Sequence, residues 1–271
     1  MPAETTSPTT DHLLLPAVIA AVHAAGARLL ERFGHTAPLA TFDDVVTAIH
    51  ANDSASLACL RDALRVARPG AGWVVDELEG GALPPGEWWI TDPVEGNINH
   101  VHGQPDWGVT ATLVRDNVPV LTVVHVPLTG QTYTAVRGGG AFVDGMPLRP
   151  SAKTGLRSAM VATGQARPGE SSETHRRIGR SVTAMLEAAL VVRVTVPATF
   201  QLAMVAGGQM DAFWQHSNVR SGLVSGALLV EEAGGAVSDL RGKPWRLDSE
   251  DFLAAAPGLQ REAVQTLSVV A

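Results

Sequence analysis

The sequence predicts an α/β protein, with an α+β N-terminal half followed by an α/β C-terminal half. Three observations lead there. Two long segments near the start carry helical periodicity, and the middle of the chain is a run of short apolar and aromatic segments. From about residue 158 onward, strand-like and helix-like stretches alternate. With 271 residues, 45% of them hydrophobic and 17% charged, the chain has ample material to bury a core.

Residues 15–33 read as an amphipathic helix, since Pro16 suits a first turn and Gly34 an ending. A second helix runs from about residue 45 to 66 and is closed by Pro69-Gly70. Residues 72–75 and 88–91 are short apolar runs followed by acidic residues, as expected of buried strands that deliver carboxylates at their C-terminal ends. Residues 109–114 and 118–126 flank Asp116-Asn117 and predict an antiparallel hairpin. Residues 131–136 and Gly138-Gly139-Gly140 continue that sheet. Further strands are expected at 160–163, 190–194, 210–214 and 236–238, with helices at 174–188, 199–206 and 222–233 between them. The chain divides near residue 150 into a 1–150 half and a 151–271 half without a flexible linker. Only residues 1–10, rich in Pro, Thr and Ser, read as disordered.

The formal charge of -7 argues against a nucleic-acid or anionic-membrane partner. One cysteine, Cys59, excludes an internal disulfide or a thiolate metal cluster, and its apolar helical setting suits a buried inert thiol. No secretory signal is read at the start, and no apolar run is read as membrane-spanning, the best candidate being broken by Arg115 and Asp116. The expected setting is cytoplasmic.

Chemistry concentrates in Asp92-Pro93-Val94-Glu95-Gly96-Asn97-Ile98-Asn99-His100. Two carboxylates separated by a Pro-Xaa turn can face one cavity, and the carbonyls of such a turn are further hard-oxygen ligands. That is the set Mg²⁺ favours. Asp76 and Glu77, after the preceding strand, can approach the same place. A lone acid after a strand is usually a loop solubiliser or cap; four acids bracketed by aromatic strands are less readily explained that way.

The run Trp89-Ile90-Thr91-Asp92-Pro93-Val94-Glu95-Gly96-Asn97-Ile98-Asn99-His100 resembles, in register, the W-x-x-D-P-[IL]-D-G-T-x-N-F signature of the inositol monophosphatase family. Gly103-Gln104-Pro105, Gly139-Gly140-Ala141-Phe142 with Asp144-Gly145, Gln209 to Phe213, and Ser225 to Gly235 are similar to further family segments, so the likeness spans roughly residues 45–239. It implies a layered αβαβα sandwich of the inositol monophosphatase and fructose-bisphosphatase type, usually a homodimer, with the active site between the halves. The chemistry it implies is hydrolysis of a phosphate monoester by a Mg²⁺-activated water. Fold alone does not transfer that activity.

Carried over residue by residue, the resemblance implies metal ligands at Asp76, Asp92, the Val94 carbonyl and Glu95, and substrate contacts at Glu77, Gly96, Asn97 and Gln215. Several positions depart from the pattern. The family's Glu-Glu pair falls on Asp76-Glu77, and its second D-P-x-D aspartate is Glu95. The water-positioning Thr is Asn97, and its aspartate partner, at the end of D-x-V-T-x-x-D, is His50. The metal-binding Asp of the C-terminal signature is Gly222, and a substrate-contacting Glu is Gln215. These changes predict at most one Mg²⁺ ion, or none. His50 beside the carboxylates suits general acid–base work, and Arg220 is placed to clamp a substrate carboxylate or phosphate. Other histidines read as structural: His100 in the core, His102 in a turn, His216 in an exposed polar loop. Three readings follow. The first is an enzyme on this scaffold repurposed for acid–base chemistry on a small polar or phosphorylated metabolite, through His50, Asp76, Asp92, Glu95 and Asn97. The second is a slow Mg²⁺-dependent phosphate monoester hydrolase. The third is a non-catalytic ligand-binding protein.

Overall fold

The structure is a computed structural model that describes residues 11–34, 39–75, 80–166, 169–217 and 219–270. A short 3-10 turn leads into helix α1 (Leu15–Leu30), which has Pro16 in its first turn. Helix α2 (Phe42–Ala67) starts three residues earlier than its apolar pattern suggested, because Thr41 and Asp44 form a capping box. The Thr41 hydroxyl accepts from Asp44 N at 3.2 Å, and the Asp44 carboxylate accepts from Thr41 N at 2.8 Å.

A seven-stranded sheet follows in sequence order: β1 (Gly72–Trp73), β2 (Glu87–Glu95), β3 (Gly108–Arg115), β4 (Val118–Val126), β5 (Gln131–Val136), β6 (Gly140–Val143) and β7 (Met146–Pro147). Its pairs are antiparallel except β1 with β2. A short helix, α3 (Asn97–Val101), interrupts the chain between β2 and β3. The second half holds β8 (Met160–Thr163), α4 (Ser172–Ala188), β9 (Val191–Val194), α5 (Ala198–Ala206), β10 (Ala212–Gln215), α6 (Arg220–Glu232), β11 (Ala236–Ser238), β12 (Phe252–Ala255) and α7 (Gln260–Leu267). Its five strands are ordered β11-β12-β10-β8-β9. The sequence reading lacked β12 and α7. Both are short, and β12 is buried on both faces, so neither helical nor alternating periodicity marks it.

Alternation along the strands assigns residues to three cores. Val109, Ala111 and Leu113 of β3 pack with Val18, Val22 and Leu29 of α1 and Leu60 and Leu64 of α2. Phe213 and Phe252 face α5 and α6 together with Val124 and Ala135 of the first sheet. Ala212, Trp214 and Leu253, one residue out of step, face Met185 of α4 and Leu267 of α7. The layers are therefore helix, sheet, helix, sheet, helix. Helix α6 is buried from Arg220 to Val230, as a helix between two sheets must be.

One expectation needs correction here. The segment His12–Leu30 is long and apolar enough, by length and composition, to cross a membrane, although no such run was read from the sequence. In the fold its apolar face supplies Val18, Val22, Ala25 and Leu29 to the first core.

Arg115 ends β3 and ties the chain start to the sheet. Its guanidinium donates to both oxygens of Asp11, at 2.8 and 3.0 Å, and to Glu87, which also accepts from Arg68. Burial alone would raise the Glu87 pKa, but the hydrogen bonds from Arg68 and Arg115 outweigh it and hold the group below its ordinary 4.5. Arg115→Met is expected to cost about 3 kcal/mol at neutral pH, because Asp11, only 4% exposed, loses this cation. Glu87, with its depressed folded pKa, contributes stability that is present above pH 4.5 and lost as pH falls through the folded value, so urea midpoints should converge in acid. Equal midpoints at pH 7 would show that the cluster contributes nothing.

Candidate active site

Asp92 and Glu95 are three residues apart, so a regular strand would send them to opposite faces. Strand β2 avoids this with a bulge. Its register with β3 holds through Asp92 opposite Thr110, then shifts before Glu95 opposite Gly108. The bulge is anchored: the Pro93 carbonyl accepts from Ser56 Oγ at 2.7 Å, and Asp92 N donates to Thr110 Oγ1 at 3.1 Å. Asp92, Val94 and Glu95 then line one cavity of about 450 Å³. The next residue must be glycine. Gly96 has φ +79°, and a Cβ there would lie 2.5 Å from the Asp106 carbonyl oxygen.

The two carboxyls lie close enough for each to act on the other. Burial first, then the Glu95 charge, hold the Asp92 pKa well above its ordinary 3.8; the Val94 N–H opposes them. The Val94 N–H donates to Asp92 Oδ1 at 3.0 Å, while Glu95 is 3% exposed. Glu95 is buried and Asp92 half-buried beside it, and two like charges held this close disfavour ionisation of both.

Behind the pair, Asn97 is fixed on every side. Its Nδ2 donates to Asp53 Oδ1 at 2.8 Å and to the Ile49 carbonyl at 3.1 Å, and its Oδ1 accepts from Asn52 Nδ2 at 2.9 Å. Asn52 Nδ2 also donates to His100 Nδ1 at 2.9 Å, and Asn52 Oδ1 accepts from Arg32 Nε at 2.8 Å. His100 Nε2 donates to the Leu29 carbonyl at 3.0 Å, so this imidazole is neutral, and burial lowers its pKa. The network locks α1, α2 and α3 together around the cavity. Asp53 has its pKa raised by burial, against the Asn97 hydrogen bond and the charge of His50.

The opposite wall is the start of α6. Ser221 and Gly222 line the cavity, and a Cβ on Gly222 would have only Ala198 Cβ at 3.8 Å and Glu95 Oε1 at 4.0 Å near it. There is room for a side chain that would reach Glu95, and the sequence supplies none. Gln215 also lines the cavity, with Nε2 donating to the Ser217 carbonyl at 3.1 Å. This donor set fits one hard cation: two carboxyls that repel each other beside the Val94 carbonyl are the arrangement a divalent ion relieves. Among the described residues no group of three or more His, Cys, Asp or Glu side chains is placed to hold a metal ion.

The other expected site residues are distributed as follows. Asp76 and Glu77 lie outside the described residues. His50 is exposed on α2, and the partner of Asn97 is Asp53, one turn further along the same helix. Arg220 is not a free clamp: it is 4% exposed, and its guanidinium donates to the Gly80 carbonyl at 2.6 Å and the Gly81 carbonyl at 3.2 Å. His216 is not in an exposed loop but 7% exposed; burial, then Arg177 and Arg180, lower its pKa to about 4. His102 is exposed and donates through Nδ1 to the Ile98 carbonyl. Sequence reasoning missed Asn52, Asp53 and Ser56. Their signal was a helical spacing, since Asp53 follows His50 by one turn and Ser56 follows Asp53 by another.

Comparisons with known proteins agree with this geometry. The model of the inositol monophosphatase family matches residues 11–270. An inositol-1-monophosphatase of Rhizobium meliloti is 32% identical over 231 residues, which cover 84% of this chain and 86% of that protein. The Nus factor SuhB of Xylella fastidiosa is 34% identical over 170 residues, covering 63% of this chain and 55% of the relative. The solved inositol monophosphatase of Thermotoga maritima superposes with a TM-score of 0.79 at 26% identity, covering 96% of this chain and 98% of that one.

Proposed function

Because this chain belongs to the inositol monophosphatase family, we propose that it acts on a small polar or phosphorylated metabolite by acid–base chemistry, with at most one Mg²⁺ ion. Its relatives support a phosphatase-like function. The observation that carries the narrower reading is geometric: Asp92 and Glu95 line one cavity opposite the bare Gly222, and we read them as a pair sharing one proton.

A pair holding one proton offers an acid and a base side by side. In this reading Asp92, whose pKa is raised, donates a proton to a departing oxygen, while Glu95 accepts one from the attacking group. The cavity wall positions the substrate, with Gln215 as a polar contact and Gly96 allowing close approach to the backbone. His50 supports the site from the outer surface of α2 by acting on Asp53 through its charge. When both carboxyls are ionised, Asp92, Glu95 and the Val94 carbonyl would instead hold one Mg²⁺ ion, which would supply charge stabilisation to a phosphate oxygen. The expected homodimer belongs to the same proposal. Leu190, Val191 and Val194, exposed along the sheet-edge strand β9 and the turn before it, support it, and the setting proposed is cytoplasmic.

The test is phosphate release from sugar and inositol monophosphates, with Mg²⁺ or EDTA, by the wild type and by Gly222→Asp. The variant has space for its carboxylate beside Glu95, so Mg²⁺ should raise its melting temperature more than that of the wild type, and Mg²⁺-dependent release should appear or increase. Robust Mg²⁺-dependent release by the wild type would overturn the acid–base reading in favour of a conventional phosphatase.

A further inference from the structure

The first two turns of α2 carry an apolar stripe that the core does not use. Phe42, Val45, Val46 and Ile49 stand at i, i+3, i+4 and i+7, the spacing of a buried helix face. Yet the buried residues of α2 begin only at Asn52, and Phe42 is 78% exposed. All four line the cavity above Asp92 and Glu95, facing a wall that includes Ile98 and Pro197. A stripe of this kind, left out of the core and turned into a concave site, is a binding surface for an apolar group.

The polar groups at the floor point the same way. Asn97 spends both amide hydrogens and its carbonyl oxygen within the protein. Asp92 Oδ1 takes the Val94 N–H, and Gln215 Nε2 is directed to Ser217. A ring bearing a hydroxyl on every carbon would place several of those hydroxyls against the apolar stripe, which cannot answer them. No Lys, Arg or His lines the cavity among the described residues.

We infer that the substrate has an apolar body, an aryl or branched alkyl group, packed on the Phe42–Val45–Val46–Ile49 stripe, with its polar reacting head on Asp92 and Glu95. The identity of the head rests on the proposed function; the apolar body rests on the cavity alone. A polyol phosphate is the poorer ligand.

The experiment is calorimetric binding of 1-naphthyl phosphate and myo-inositol 1-phosphate to the wild type and to Ile49→Asn, in EDTA and in Mg²⁺. The aryl phosphate should bind the wild type about tenfold more tightly or better, the discrimination an apolar pocket provides. Ile49→Asn should lose most of that preference through weaker binding of the aryl phosphate, with its melting curve reporting the fold. The comparison of ligands on the wild type stands without the variant. Equal or tighter binding of inositol phosphate, or no binding of the aryl probe, overturns the inference. Tight aryl binding without any turnover would remove the proposed reaction and leave the apolar-body assignment standing. Turnover confined to polyol phosphates would do the reverse.

Discussion

Asp92→Asn is expected to reduce turnover by roughly 10²–10⁴-fold, the usual loss when a positioned proton donor is removed. It should also leave the fold more stable than the wild type at alkaline pH. Both effects have one cause. In the wild type, Asp92 is half-buried beside Glu95, and desolvation followed by that charge holds its folded pKa well above the ordinary 3.8. A raised carboxyl pKa stabilises the folded state at and below the unfolded value, and that contribution is lost as pH rises through the folded value. The amide cannot ionise, so the variant does not carry this loss. Its melting temperature should exceed that of the wild type at pH 8 and approach it near pH 4. Mg²⁺ should raise the melting temperature of the wild type and not that of the variant, because the ion then lacks one carboxylate. Melting curves across this range, with and without the ion, check the prediction. A variant less stable than the wild type at pH 8 would mean that the pair is ionised and compensated, and the shared-proton description would fall.

The second large effect is expected at Gly226→Val, remote from the reacting groups. Gly226 lies one turn after Gly222 on α6, where a Cβ would collide with the Cβ and Cδ1 of Leu202 on α5. The two helices touch almost backbone to backbone, and Thr199 Oγ1 donates to the Gly222 carbonyl at 3.0 Å in the same contact. Ser225, between them in sequence, accepts from Thr112 Oγ1 of β3 at 3.1 Å, so α6 cannot simply retreat toward the first sheet. Overpacking this contact should cost about 3 kcal/mol, read as a lower urea midpoint with an unchanged slope. Ligand binding should weaken as well, because pushing α6 away moves Ser221 and Gly222 in the cavity wall. An unchanged midpoint would show that the helices separate freely and that these glycines do not set their spacing.

Gly222 and Gly226 illustrate what a sequence can and cannot convey. The family resemblance implies a metal ligand at residue 222, and in the structure Gly222 leaves open space beside Glu95. Gly226, on the same helix face, has a packing role that depends on Leu202, a residue no local pattern connects to it. The strand carrying Asp92 was readable from its aromatic start, but the bulge that turns both carboxyls the same way was not, because it depends on Thr110 and Ser56 from other elements. Likewise Asn97 was legible as a site residue. Its partner was expected at His50 and is Asp53, since the helix rotates His50 out to solvent.

The sequence by itself determined the layered α/β architecture, the order of most elements and the family, because periodicity and the D-P-x-E-G segment are local properties of the chain. Only the tertiary structure decided which side chains meet. It buried His216, tied Arg220 to the carbonyls of residues 80 and 81, and turned the first apolar turns of α2 into a cavity wall. The physical reason is that burial and hydrogen bonding are settled between elements distant in sequence, where each polar group must find a partner and each apolar stripe a surface.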